Sequence, residues 1–276
     1  MGYFDGIYNT FENSSYDISR KLDINTILIY TPKGEMFSMI PKIKGMVDFE
    51  NSKIKGVILN KVKKSMYLLL KEQIEKHTGI KVLGYVEEDR DLEIQSRYLG
   101  LVQSMEDGNI EKIMDKIAGT VEKTIDLDAL ISMMNKVEVG IYTYPSKRNI
   151  KVAIAYDLAF SFYYNENLKL LENACHVEYF SPMEDKKIPN CDLLFLGGGY
   201  PELYKKELSQ NVSMINSVKE KAEAGGYIYG EAGGFMYLVD SIEGYPMCGI
   251  LRGKATMTDR LKRFGYVNIE LNRDSI

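Results

Sequence analysis

Cysteine and histidine are nearly absent: the 276 residues hold three cysteines, Cys175, Cys191 and Cys248, and two histidines, His77 and His176. Their spacing matches no metal-ligand pattern, which argues against a zinc enzyme. A small, odd number of cysteines also excludes a disulfide-stapled miniprotein and suits a reducing compartment. There is no basic excess. Lysine and arginine number 35 against 39 aspartates and glutamates, a formal charge of -4, so nothing speaks for nucleic acid or an anionic membrane surface as partner. No apolar run is long enough to span a bilayer, and the opening Met1-Gly2-Tyr3-Phe4-Asp5-Gly6 lacks the basic-then-apolar order of a signal peptide. We therefore expect a cytoplasmic protein. With 45% hydrophobic and 27% charged residues, the chain has the balance of a globular protein and the length of two ordinary domains.

Short apolar runs alternate with helix-like stretches. Strands are expected over 25–30, 54–59, 81–85, 151–155, 176–179, 192–196 and 227–229. These runs are nearly continuous in apolar residues, as in parallel strands covered on both faces. The segment 65–77 places Met66, Leu69, Leu70 and Ile74 on one helical face, and 212–224 starts after Asn211, a good N-cap. The alternation predicts an α/β chain with mainly parallel sheets. It breaks between about 109 and 135, where helix follows helix. The stretch 137–149, with Gly140 and Pro145, reads as a linker. We expect one domain over 1–136 and a second over 150–276.

The segment 227–238 runs from a short strand through Gly230-Glu231-Ala232-Gly233-Gly234 into an apolar helix. This is the shape of a nucleophile elbow, in which a sharp turn exposes one side chain above the sheet. A second cluster, Gly197-Gly198-Gly199-Tyr200-Pro201-Glu202, also follows a strand. Its N–H groups can approach a ligand closely. Each cluster alone is equally well a tight strand-to-helix turn. Two together, at the ends of parallel strands, favour a ligand site.

These residues carry a resemblance. GGGYPE at 197–202, followed by Tyr229-Gly230-Glu231-Ala232-Gly233-Gly234-Phe235-Met236-Tyr237-Leu238, resembles the glutaminase domain of the cobyrinic acid a,c-diamide synthases. Ala232 stands where that family has its nucleophilic cysteine. Ala155-Tyr156-Asp157-Leu158-Ala159-Phe160-Ser161-Phe162-Tyr163-Tyr164-Asn165 is similar to the family's D-x-AF-x-FYY stretch, and Phe180-Ser181-Pro182 to its FSP. Upstream, Met1–Gly6 is similar to an MG-[LY]-[FY]-DG motif, 56–62 to GVILNRV, 97–101 to R-H-LGL with Tyr98 for histidine, and 126–130 to DLDAL.

The resemblance implies a dethiobiotin-synthetase-like partial domain followed by a class I amidotransferase-like one. It implies ATP- and Mg²⁺-dependent amidation of a corrinoid precursor, with glutamine as nitrogen source. Gly198, Gly199 and Gly233 take the place of oxyanion-hole donors. Asp5 is carried over as a catalytic and Mg²⁺-facing carboxylate, or else it is a turn aspartate before Gly6. Asn60 is carried over as an adenine reader, or it only ends a strand. Arg97 would meet a phosphate or substrate carboxylate, or form a surface ion pair. The family's phosphate loop, cysteine and histidine have no counterpart in these residues; the nearest glycine-lysine run, 249–255, has the wrong spacing. His176 and Cys248 read as ordinary strand positions. We therefore expect an internal segment of the family pattern, without glutaminase activity and without tight ATP binding. A related nickel-sirohydrochlorin amidating synthase, or a silent binding protein or gene fragment, stays open as an alternative, as does homo-oligomerisation.

Overall fold

The computed structural model describes residues 2–94, 96, 97, 100, 101, 108–136, 138, 140, 142–259 and 262. The chain divides into two compact units, with the division between Val139 and Gly140. No strand pairing among the described residues crosses it.

Unit 1 begins with α1 (Ser15–Lys21), capped by the Ser14 hydroxyl, which accepts from the Asp17 N–H. It continues through β1 (Thr26–Tyr30), α2 (Met39–Asp48), β2 (Ile54–Asn60), α3 (Lys64–Thr78) and β3 (Lys81–Val86). The three strands form one parallel sheet in the order β1-β2-β3. Met39 and Ile43 of α2 and Leu70 and Ile74 of α3 pack on Ile54, Val57, Leu59 and Val82 in a single core. Leu69, expected on that helical face, is 67% exposed. Leu70 and Ile74, four residues apart, define the buried stripe, and Leu69 is rotated by one position to its flank. A short pair, β4 (Ser96–Arg97) and β5 (Gly100–Leu101), precedes α4 (Ile110–Thr124) and α5 (Leu127–Ser132), the two helices expected without an intervening strand.

Unit 2 holds β6 (Lys151–Ala155), α6 (Asn165–Ala174), β7 (His176–Phe180), β8 (Leu193–Leu196), α7 (Lys205–Gln210), α8 (Val212–Glu223) and β9 (Tyr227–Gly230). All pairings in this sheet are parallel, in the order β7-β6-β8-β9. Asn211 caps α8 by accepting from the Met214 N–H. After β9 come α9 (Gly233–Leu238) and a small mixed sheet of β10 (Val239–Ile242), β11 (Tyr245–Pro246) and β12 (Leu251–Ala255), ordered β11-β10-β12. Cys248, expected within a strand, lies beyond the end of β11. Its N–H donates to the Tyr237 carbonyl instead of to a strand partner. No helix among the described residues is long and apolar enough to cross a membrane.

Candidate functional site

The strand order reverses at β6: the chain goes out to β7 on one side and returns to β8 on the other. Loops leaving the carboxyl ends of β6 and β8 therefore splay apart and leave a crevice, the usual ligand position of an open α/β sheet. The elbow after β9 closes its far side.

The first wall is the loop after β6. Asp157 accepts from the N–H groups of Ala159 (2.8 Å) and Phe160 (3.2 Å) with one oxygen. With the other it accepts from the Ser181 hydroxyl (2.8 Å) and the Met183 N–H (3.1 Å). Burial raises its carboxyl pKa despite these four donors, which favour the charged form. The carboxylate thus stitches the 157–163 loop to the Ser181-Pro182-Met183 turn after β7.

The second wall is the glycine loop after β8. Leu196 O accepts from the Glu231 N–H (3.1 Å), Gly197 O from the Gly234 N–H (2.8 Å) and Gly198 O from the Phe162 N–H (3.0 Å). Glycine is needed here because other backbone and ring atoms come too close. A Cβ on Gly197 would lie 2.4 Å from the Tyr163 ring, and one on Gly199 would lie 2.0 Å from the Ala159 carbonyl oxygen.

The third wall is the elbow. Ala232 caps α9 with φ 45° and ψ -109°, a left-handed backbone that a residue with a Cβ rarely adopts. Its side chain is exposed and faces the glycine loop: a Cβ placed on Gly198 would be 3.7 Å from the Ala232 Cβ. A Cβ placed on Gly233 would be 3.1 Å from the Gly199 nitrogen. The structure thus brings Ala232, Gly198, Gly199 and Gly233 together. Gly198 is bridged to Phe162 in the antiparallel sense, and the Gly233 N–H has no hydrogen-bond acceptor among the described residues. No nucleophile stands among them. His176, the one histidine of unit 2, begins β7, an edge strand, at the opposite end of the strands from these loops. Cys248 is fully buried, and burial pushes its thiol up to about 12.

Residues 151–275 match the CobB/CobQ-like glutamine amidotransferase domain. Among curated proteins, the chain is 40% identical to a cobyrinate a,c-diamide synthase of Clostridium acetobutylicum, over 100% of this chain and 64% of that protein. It is 40% identical to one of Fusobacterium nucleatum, over 99% of this chain and 67% of that protein. The chain belongs to the cobyrinate a,c-diamide synthase family. A synthase of Methanocaldococcus jannaschii is 38% identical, over 100% and 63%. The chain thus spans a little under two thirds of the length of most of these relatives. No solved structure matches it.

The synthase resemblance also singled out three residues of unit 1. Asp5 is exposed, and its carboxylate folds back to accept from the Gly2 N–H at 2.6 Å. Asn60 ends β2 beside Val86 of β3, and its amide donates to the Thr31 hydroxyl just past β1 at 3.2 Å. Arg97 lies in β4, and its side chain falls outside the described residues. The structure gives no contact joining Asp5 to Asn60. No group of three potential metal ligands occurs among the described residues. Asp5 alone does not supply the oxygen set that Mg²⁺ demands, so these residues do not by themselves fit a bound Mg-ATP.

Two residues with structural authority over the cleft, Asp157 and Tyr163, had no role assigned from sequence. Their signal was present in the stretch 155–165, where polar and aromatic residues interrupt a strand-to-helix connection.

Proposed function

We propose that the cleft of unit 2 is a glutamine site that binds the amide donor without hydrolysing it. It sits in a chain whose lineage is ATP-, Mg²⁺- and glutamine-dependent amidation of the a and c carboxylates of a corrinoid precursor. The observation that carries this reading is the exposed Ala232 Cβ, on a strained elbow, facing the backbone N–H groups of the glycine loop and of Gly233. Such N–H groups suit a carboxamide oxygen, and they would suit still better the oxyanion that forms when a nucleophile attacks it. Hydrolysis of glutamine needs a lone pair on the attacking atom and a base to manage the departing ammonia. A methyl group at 232 forms no thioester, and His176 stands at the wrong end of the sheet. The arrangement favours a binding role for this chain over turnover. Mg²⁺ and ATP belong to the proposal through the family alone.

The test pairs calorimetry with L-glutamine against ammonia release. We expect measurable glutamine binding and background ammonia for the protein as it is, and for Ala232→Cys still no turnover. Robust ammonia release by the unmodified protein refutes the assignment of position 232. Absence of glutamine binding refutes the site.

A further inference from the structure

The glycine loop is bonded at its start to a phenol, that of Tyr163. In a trans peptide the N–H points opposite to the C=O. Gly197 O is tied to Gly234, so the Gly198 N–H is aimed away from Gly234. Gly198 O is tied to Phe162, so the Gly199 N–H is aimed away from Phe162. Both aims depend on the peptide before them, Leu196–Gly197, which is held at both ends. Its carbonyl accepts from Glu231. Its N–H donates to the Tyr163 hydroxyl oxygen at 2.9 Å. That hydroxyl in turn donates to the carbonyl of Ala155, the last residue of β6. One O–H group thus joins the end of β6 to the start of the loop after β8, across the point where the strand order reverses.

The ring is fixed as firmly as the hydroxyl. It stacks on Tyr156 at 5.9 Å, meets Phe195 edge-on at 5.4 Å, and fills the space where a Cβ on Gly197 would sit. Burial foremost, with Asp157 and Glu231 nearby, raises the phenol's pKa, so it remains a donor at neutral pH.

We propose that Tyr163 is the positioning residue of this cleft: its hydroxyl sets the Leu196–Gly197 peptide and thereby aims the Gly198 and Gly199 N–H groups. That they are aimed at the carboxamide oxygen of glutamine rests on the reading above; the positioning itself does not.

Tyr163→Phe keeps the ring and deletes the hydroxyl. We expect hydrogen exchange at the Gly197 amide to rise at least about 10-fold, and the Gly198 and Gly199 amide resonances to move. Exchange at Ile154 and Leu194 in the sheet should be unchanged. Glutamine affinity should fall roughly 10-fold, in keeping with a misaimed donor. Tyr156→Phe, whose ring touches Tyr163 but whose hydroxyl makes no bond to the loop, should change none of these. In the unmodified protein, the Tyr163 hydroxyl proton should exchange slowly and show a nuclear Overhauser contact to the Gly197 amide. Its absence overturns the proposal without recourse to any variant. Unmoved Gly198 and Gly199 resonances with unchanged Gly197 exchange in Tyr163→Phe overturn it as well. If the loop resonances move but neither protein binds glutamine, the positioning role stands and the glutamine reading falls. If they move and glutamine affinity is unaltered, the aim at the carboxamide is refuted.

Discussion

Replacing Ala232 by glycine should stabilise unit 2, although it removes a methyl group. The residue is held at φ 45° and ψ -109°, outside the small left-handed well open to L-residues. A non-glycine residue in such a region costs on the order of 1–3 kcal/mol. Glycine relieves most of that cost, while greater freedom of the unfolded chain takes back about 0.4–1 kcal/mol. No buried apolar surface is lost, because the Ala232 side chain is exposed. The net expectation is a gain of about 1 kcal/mol, a rise in melting temperature of roughly 3–5 °C for a unit of this size. Urea and thermal unfolding of Ala232→Gly beside Ala232→Val measure it. Valine, β-branched, should be destabilised in the same backbone by at least about 1 kcal/mol. A lower midpoint for the glycine variant, or an unchanged one for valine, would show that position 232 is not on a strained elbow.

Two further outcomes are expected. Gly234→Ala places a Cβ 2.0 Å from the Leu196 carbonyl oxygen and 2.5 Å from its carbon; it should destabilise unit 2 by about 3 kcal/mol or more, and a variant as stable as the parent in urea refutes the elbow's packing against β8. The raised carboxyl of Asp157 keeps its proton in the folded state over a range where the unfolded chain has lost it, so its contribution to stability is greatest below the unfolded value near 3.9 and falls as pH rises through the folded one. The stability of the parent minus that of Asp157→Asn should therefore decline as pH rises from about 4, and an increase over that range contradicts the assignment.

The seven principal strands were legible because parallel strands buried on both faces are nearly uninterrupted apolar runs. The glycine clusters were legible because backbone approach as close as that of Gly199 to Ala159 admits no other residue. The small sheet after α9 was not. Val239 of β10 follows Leu238 of α9 directly, so the apolar run 235–239 reads as one helix. The β10–β11 turn places Glu243 at φ 50° and Gly244 at φ 80°, a two-residue turn in the left-handed region. Glutamate there is a weak signal where asparagine or aspartate would have announced it. Cys248 looked like a strand residue because burial and strand membership share a hydropathy signal. Asp157 and Tyr163 escaped because a hydrogen-bonding role depends on partners from other strands, and those partners are backbone atoms that every residue carries.

The elbow also shows why geometry and chemistry can part company. The bonds that tie it to the glycine loop and to α9 are made by backbone groups: Glu231 to Leu196, Gly234 to Gly197 and Glu231, Met236 to Ala232. The side chain at 232 takes part in none of them and points out of the core. The fold therefore places no demand on what that side chain is, beyond its tolerating the strained backbone. A thiol or a methyl group meets that demand equally. The glycine loop, the Tyr163 bridge and the Asp157 stitch hold the unit together whatever side chain stands at 232. A methyl group in place of a nucleophile leaves these contacts intact, and under the function proposed above a cleft so maintained would keep its means of binding.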